Sequence, residues 1–139
     1  MKILIFGASG RTGRCVVRYA GGHELVLFEG DVLNAELVDA AMVGVQAVIS
    51  VLGHVKGSAR DMQTHGMKNI VASMKRHGVR RIVSLTGTGV RRPDDKITFI
   101  DRLLNIGVGV FDPARVQDGK MHAAVLESSG LDYTILRVL

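Results

Sequence analysis

The chain has 139 residues, of which 47% are hydrophobic and 22% are charged, and its formal net charge is +5. This size and composition fit one globular domain with one hydrophobic core. No apolar run is long enough to cross a bilayer, and the first residues follow a strand pattern and not that of a signal peptide. The single Cys15 cannot form an internal disulfide, so we expect a reducing, cytoplasmic location and no membrane partner.

The positive charge does not by itself indicate a nucleic-acid partner. The chain contains no Trp, 4 Phe and 2 Tyr, so it lacks an aromatic platform on which bases could stack. A basic surface suits an anionic small molecule equally well. The histidines show no metal-ligand spacing; we expect His54, His65 and His77 to be solvated and expect no metal site.

The first feature in chain order is an apolar run, Ile3–Phe6, followed at once by the sequence Gly-Ala-Ser-Gly-Arg-Thr-Gly at 7–13. The run predicts a buried strand, and helix-forming residues at Arg11–Ala20 predict a helix directly after the turn. A strand, a glycine turn and a helix together present backbone N–H groups and a helix amino end to a pyrophosphate. The alternative is a tight turn that binds nothing.

Each glycine of the turn has a distinct predicted role. Gly7 allows the chain to leave the strand sharply, Gly10 has no Cβ to obstruct a phosphate, and Gly13 lets the helix approach the sheet closely.

The rest of the chain alternates between strand and helix patterns. We predict strands at Glu24–Phe28, Ala47–Leu52, Arg81–Leu85 and Tyr133–Leu136, and helices at Ala35–Met42, Arg60–His77 and Asp118–Ser129. Asn34 is a suitable N-cap and Gly78 a helix stop. The alternation predicts an α/β fold, a Rossmann-type doubly wound parallel sheet with helices on both faces, in a single domain over 1–139.

The helix predicted at Arg60–His77 has one apolar face, because methionine, glycine and isoleucine recur every four residues. Its members are Met62, Gly66, Ile70 and Met74, with Met67 and Val71 beside them.

The spacing Gly-x-x-Gly-x-x-Gly at 7–13 resembles the short-chain dehydrogenase/reductase superfamily, and "GASGRTG" after a strand resembles its atypical branch. That branch includes NmrA-like proteins and the flavin reductase/biliverdin-IXβ reductase type. The segments at 29–34, 47–53, 65–89 and 126–137 resemble successive parts of the same proteins, in the same order. The resemblance implies an NAD(P)-binding Rossmann domain.

The chain departs from this pattern at the junction 28–29, where family members place a further helix and strand. A parallel neighbour needs a crossover of about a dozen residues, so we expect either that one βα unit is missing or that a segment is absent from the sequence, and we favour the latter. The chain also stops after the last core strand, where family members continue into substrate-binding segments.

The resemblance, and the rule that ligands bind at the carboxyl ends of strands, implies a set of cofactor contacts. They are Gly7, Ala8, Ser9, Gly10, Arg11, Thr12, Gly13, Asp31, Val32, Leu52, Gly53 and Thr86. His54 is expected beside Leu52 and Gly53 on the ribose side, and Gly87 and Thr88 beside Thr86 near the nicotinamide. Arg11 could pair with a 2′-phosphate, so we expect NADP, with NAD possible. The alternatives are an exposed helix-start arginine for Arg11, a solvated turn aspartate for Asp31 and a strand-end cap for Thr86.

The catalytic pattern of the superfamily, Tyr-x-x-x-Lys, is only half present. Lys120 lies at roughly the family distance before the last strand, but the tyrosine position is occupied by Val116. The resemblance leaves Thr86 and Lys120 as predicted catalytic residues, with Thr86 on a substrate carbonyl and Lys120 on the ribose. His122 is the first suspect if another residue replaces the tyrosine.

The missing tyrosine disfavours a sugar-nucleotide epimerase or dehydratase. We expect an NADPH-dependent reductase that passes hydride directly to a small conjugated acceptor such as a flavin, quinone or tetrapyrrole. The alternative is a non-catalytic, NAD(P)-sensing regulator of the NmrA-like kind. Expected partners are a small-molecule substrate and, at most, a second copy of the chain, as a monomer or homodimer. An apolar stripe within 97–111 is expected to pack in the core or between subunits.

Overall fold

A computed structural model describes residues 1–20, 24, 26–86 and 113–137. Its elements in chain order are β1 (Ile3–Phe6), α1 (Arg11–Tyr19), α2 (Ala35–Ala41), β2 (Ala47–Ser50), α3 (Met62–Arg76), β3 (Arg81–Thr86), α4 (Pro113–Glu127) and β4 (Asp132–Arg137). The expected contacts of Gly87 and Thr88 with a cofactor, and the stripe within 97–111, lie outside the described residues.

The described strands form one parallel sheet in the order β1-β2-β3-β4. In register, Ile3 pairs with Ala47, Ala47 with Arg81, and Arg81 with Asp132. Parallel neighbours require crossovers, and helices supply them here, which confirms the predicted Rossmann-type α/β fold. The carboxyl ends of all the described strands therefore lie at the same end of the sheet.

The core lies between the central strands and α3. Met67, Ile70 and Met74 of α3 are fully buried, as are Val48 of β2 and Ile82 of β3. The apolar face predicted for this helix is confirmed. It forms because residues three and four apart share one side of an α-helix.

Two helix boundaries follow from single residues, as predicted. Asn34 caps α2, because its Oδ1 accepts hydrogen bonds from the N–H groups of Glu36 at 3.0 Å and Leu37 at 3.2 Å. After α3, Gly78 has a φ of +68°, the left-handed conformation that glycine adopts at little cost beyond a helix end. The start of α4 was predicted five residues too late, at Asp118.

The strand predicted at Glu24–Phe28 is wrong for every residue described there, since Glu24 and residues 26–28 have no regular structure. Val26 and Leu27 are 81% and 90% exposed. A strand beside β1 would need cover on both faces, and no described element lies against these side chains. In the described sheet β1 is consequently an edge strand.

Candidate functional site

The glycine turn packs against the end of the neighbouring strand. Gly7 has a φ of +81°, and a Cβ placed on it would lie 2.8 Å from the carbonyl oxygen of Val51. Gly13 is more tightly packed, because a Cβ there would lie 2.1 Å from the carbonyl oxygen of Gly7. Both positions therefore require glycine for the shape of the backbone itself.

The amino end of α1 is open. Gly10 is its N-cap, with an ordinary φ of −70° and no side chain to accept a hydrogen bond, and the first turn carries no acidic residue. A Cβ at Gly10 would meet only the oxygen of Gly7, at 3.2 Å, among the described atoms. The first N–H groups of a helix lack intrahelical partners and attract anions. These residues fit the pyrophosphate of a dinucleotide.

The remaining predicted contacts of the turn differ in exposure. Ser9, Arg11 and Thr12 are exposed, whereas Ala8 is half-buried. Arg11 is the first residue of α1 and lies beside the open helix end.

The end of β2 lies beside the turn. The N–H of Val51 donates to the carbonyl oxygen of Phe6 at 3.0 Å, which extends the β1–β2 contact beyond the ladder. Leu52 is half-buried and Gly53 is exposed, with nothing within 4 Å of a Cβ built on it. Leu52 lies against the turn, because a Cβ on Gly7 would be 3.2 Å from the Leu52 nitrogen. The cofactor contacts predicted for Leu52 and Gly53 stay predictions.

Two buried hydroxyl groups lie near the carboxyl ends of the central strands. Ser50 ends β2 and is 0% exposed, and Thr86 ends β3 and is 4% exposed. Neither hydroxyl oxygen has a hydrogen-bond partner in the described part of the chain. Because a buried hydroxyl is costly to leave unpaired, both positions suit a site where a ligand supplies the partner. The contact predicted for Thr86 stays a prediction.

Asp31 and Val32 form a turn that is attached to α3. The exposed carboxylate of Asp31 accepts a hydrogen bond from the N–H of Leu33 at 2.9 Å. Val32 packs on Gly66, where an added Cβ would lie 2.9 Å from a Val32 methyl. The amide of Asn69 donates to the Val32 carbonyl at 2.9 Å. These contacts give Asp31 a turn-forming role, and its contact with a cofactor stays a prediction.

On α4, the predicted catalytic lysine and two other polar residues occupy different faces. Lys120 is exposed, whereas Asp118 and His122 are buried. Val116, in the position of the missing tyrosine, is half-buried. The roles predicted for Lys120 stay predictions.

Asp118 caps α3 from a distance in sequence. Its carboxylate accepts hydrogen bonds from the N–H groups of Gln63 at 2.9 Å and Thr64 at 3.0 Å, and from the Thr64 hydroxyl. Although burial by itself raises the pKa of the Asp118 carboxyl, the bonds from Thr64, Gln63 and His54 hold that pKa below its ordinary value. Asp118 is therefore a buried carboxylate.

The expectation that His54 is solvated is wrong. Its side chain is 6% exposed, and Nε2 lies 2.8 Å from Oδ2 of Asp118. Its other ring nitrogen, Nδ1, lies 3.2 Å from the hydroxyl oxygen of Ser58. Its partner Asp118 lies 64 residues away in sequence, so no local sequence pattern predicts this contact.

His122 is also buried, but it faces the core. Nε2 lies 2.9 Å from the Ser84 hydroxyl, and Nδ1 lies 3.3 Å from Oε1 of Gln63. Burial lowers the pKa of His122 to about 4, against the opposing charge of Asp118. His122 is consequently neutral at physiological pH. It contacts Ser84 and Gln63 and does not line the cavity described below, so it is poorly placed to replace a catalytic tyrosine.

A cavity of about 450 Å³ lies between the loop after β2 and the start of α4. It is lined by His54, Val55, Gly57, Ser58, Arg60, Pro113, Ala114 and Arg115. The polar residues in this lining are a histidine, a serine and two arginines. Sequence reasoning identified the end of β2 but missed Ser58, Asp118 and Arg60, for which the sequence offers no signal.

Within 1–20, 24, 26–86 and 113–137, no group of three or more His, Cys, Asp or Glu side chains could hold a metal ion. No helix in the described part of the chain is long and apolar enough to cross a membrane.

This fold and open helix end define a nucleotide-binding Rossmann protein. A family model described as NAD(P)H-binding matches residues 19–139. The chain belongs to this NAD(P)H-binding family.

Solved structures share the fold at low sequence identity. ChuY, an anaerobilin reductase from Escherichia coli O157:H7, is 20% identical with a TM-score of 0.74, over 99% of this chain and 72% of that one. The Bordetella bronchiseptica enzyme WbmG, solved with NAD and UDP, is 20% identical with a TM-score of 0.75, over 99% and 52%. A Rossmann-fold NAD(P)-binding protein from Shigella flexneri is 23% identical with a TM-score of 0.68, over 98% and 66%. The chain thus spans about half to three quarters of these proteins' lengths.

Proposed function

We propose that the protein is an NADPH-dependent reductase that transfers hydride directly to a small conjugated acceptor of the flavin, quinone or tetrapyrrole type. The observation that carries the proposal is the amino end of α1, which follows a tight glycine turn and has no side-chain cap. Membership of the NAD(P)H-binding family supports the cofactor class. The fold shared with ChuY, a reductase, supports the reaction class by analogy.

The chain's own groups divide the work of holding the cofactor. The N–H groups at the start of α1 bind the pyrophosphate, and Arg11 pairs with a 2′-phosphate, which favours NADPH over NADH. The hydroxyls of Ser50 and Thr86 lie at the same sheet edge, buried and without described partners, and suit polar groups of a ligand. When bound, the reduced nicotinamide supplies a hydride.

The acceptor class follows from Val116. A valine cannot give a proton to a substrate oxygen, so simple ketones and alcohols are poor substrates unless another residue supplies that proton. An acceptor whose reduced form delocalises negative charge needs less acid catalysis at the moment of hydride transfer. The guanidinium groups of Arg60 and Arg115 line the adjacent cavity and suit an acceptor that carries negative charge.

The test of the cofactor site is Gly10→Val. The ordinary φ at Gly10 and its single close contact allow a side chain without loss of the fold. We expect calorimetry to show strong NADPH binding by the unmodified protein and none by the variant, with equal midpoints in urea. Ala40→Val, an exposed position on α2, is the control and should bind NADPH normally. Unchanged affinity in Gly10→Val would remove the turn from the site.

The test of turnover is oxidation of NADPH with FMN or menadione as acceptor. Oxidation with either acceptor supports the reductase. Tight NADPH binding with no oxidation by any conjugated acceptor would support the NAD(P)-sensing regulator instead.

Arg11→Ala should weaken NADPH binding while leaving NADH binding unchanged.

A further inference from the structure

We propose that His54, backed by Asp118, is the acid–base residue that protonates the reduced acceptor in place of the tyrosine this chain lacks. The inference rests on the proposed reductase function and assigns the group that handles the proton. It is carried by the cavity between the loop after β2 and the start of α4.

The position of the pair suits this role. His54 directly follows Gly53, a predicted cofactor contact, and lines the cavity together with Ser58. The first residues of α4 also line the cavity, and Val116 follows them directly in sequence. His54 therefore lines a cavity whose residues adjoin, in sequence, both a predicted cofactor contact and the position of the absent tyrosine.

Asp118 prepares His54 for proton transfer. A carboxylate can only accept hydrogen bonds, so Nε2 of His54 must carry the proton that faces it across 2.8 Å. The two N–H groups at the start of α3 hold the carboxylate in place. A carboxylate in this position orients an imidazole and stabilises its protonated form.

The hydrogen bonds around His54 satisfy both of its protonation states. The Ser58 hydroxyl lies 3.2 Å from Nδ1 of His54 and 2.9 Å from the carbonyl oxygen of Val55. When His54 is neutral, Ser58 can donate to Nδ1. When His54 is protonated, Nδ1 donates to Ser58, and the hydroxyl proton turns to Val55. Rotation of one hydroxyl thus accommodates the gain or loss of a proton, as an acid–base group requires.

Charged groups face His54 from two elements. Asp118 on α4 pairs with the imidazole, and Arg60 of the loop and Arg115 of α4 line the same cavity and suit a negatively charged acceptor. His122 does not line the cavity, and its Nδ1 lies 3.3 Å from Oε1 of Gln63.

The proposed step balances in atoms and electrons. The acceptor gains two electrons and one proton as hydride from the reduced cofactor, which becomes oxidised. In the same step the Nδ1–H bond of His54 breaks and an N–H or O–H bond forms on the acceptor, so that negative charge does not accumulate on it. His54 is left as neutral imidazole and regains a proton from solvent.

The experiment compares His54→Gln with His65→Gln. The side-chain amide of glutamine can still donate a hydrogen bond to Asp118, but it cannot give up a proton to the acceptor. His65 is the matched control, because it pairs with Asp61 at 3.0 Å but is exposed at the start of α3. In single-turnover reduction of menadione by NADPH, we expect a rate loss of about 100-fold or more in His54→Gln and none in His65→Gln. Calorimetry should give the same NADPH affinity for all three proteins.

A second readout is the pH dependence of the reduction rate in the unmodified protein. We expect that rate to fall as the pH rises, because the step needs a proton donor, and we expect that fall to be absent in His54→Gln.

The outcomes separate the two proposals. Turnover that is equal in His54→Gln and the unmodified protein overturns the role of His54 and leaves the reductase standing. A fall in rate with rising pH that persists in His54→Gln also overturns it. An unmodified protein that binds no NADPH, or oxidises none, overturns the reductase and the inference together.

Discussion

The amino ends of α1 and α3 lie in the same fold and differ in what satisfies their first N–H groups. At α1 the N-cap is Gly10, which has no side chain, and no described side chain caps the helix. At α3 the N-cap residue Asp61 makes no capping bond either, but Asp118 of α4 supplies a buried carboxylate. An end left open suits an external anion, whereas an end closed by the protein's own anion contributes to the fold.

The difference also separates local from long-range construction. The open end is built by residues 7–13 alone, within one turn of chain. The closed end joins residues more than 50 positions apart and places His54 beside a cavity. Loss of the cap at the closed end should therefore lower the stability of the fold, whereas a side chain added at the N-cap of the open end should mainly weaken ligand binding.

Asp118→Ala should have the largest effect on stability. It leaves two helix N–H groups, the Thr64 hydroxyl and a ring N–H of His54 without their buried partner. We expect the free energy of unfolding to fall by about 3–5 kcal/mol, measured by urea denaturation. Asp61→Ala, at the exposed N-cap position, is the control and should change little. A similar loss in both variants would contradict the distant cap.

His122, which contacts Gln63 at the amino end of α3, should make the free energy of unfolding depend on pH. Burial lowers its pKa to about 4 from an ordinary 6.5, so the unfolded chain binds this proton first. The contribution is fully present above pH 6.5 and is lost as the pH falls toward 4, a loss of about 3 kcal/mol. Urea midpoints between pH 7 and 4 measure it.

The control for this prediction is a pair of histidine variants. His122→Gln should show a smaller loss of stability over the same pH range, while His65→Gln should keep the full loss. An identical slope in His122→Gln would assign the effect to other groups.

Gly13→Ala tests the shape of the open end. The new Cβ would lie 2.1 Å from the Gly7 carbonyl oxygen, so the backbone must move. We expect a loss of about 1–3 kcal/mol in the free energy of unfolding. Gly10→Ala, with one contact at 3.2 Å, should be close to neutral in urea while weakening NADPH binding. Equal stability of the two variants would contradict the close approach of α1 to the turn.

The smallest expected effect is at the carboxyl end of α3, where the exposed carboxylate of Asp39 pairs with Arg76. The Arg76 guanidinium, with Ser73 and His77, lowers the pKa of Asp39 to about 2. In Arg76→Ala this pKa should rise toward 3.8, as NMR of the carboxyl carbon would show. Because the folded pKa is lowered, any stabilisation exists above pH 3.8 and disappears as the pH falls through 2. An unmoved pKa would mean that Ser73 suffices.

The sequence predicted the elements whose causes are local. Asn34 caps α2 and Gly78 ends α3 because their own backbone and side chain decide the conformation. The apolar face of α3 follows from its four-residue recurrence. The strand at Glu24–Phe28 failed because a strand pattern does not show whether a neighbour exists to cover it.

For the site, the sequence by itself determined the turn at 7–13 and the existence of β2 and β3, since glycine spacing and strand periodicity are short-range properties. β2 ends two residues before, and β3 one residue after, the predicted positions. Only the tertiary structure decided that His54 is buried and that Lys120 faces outward while Asp118 faces inward. The physical reason is that burial and hydrogen-bond partners depend on which helices pack together. α3 packs against α4, and the contact between His54, in the loop before α3, and Asp118 of α4 spans 64 positions of the chain.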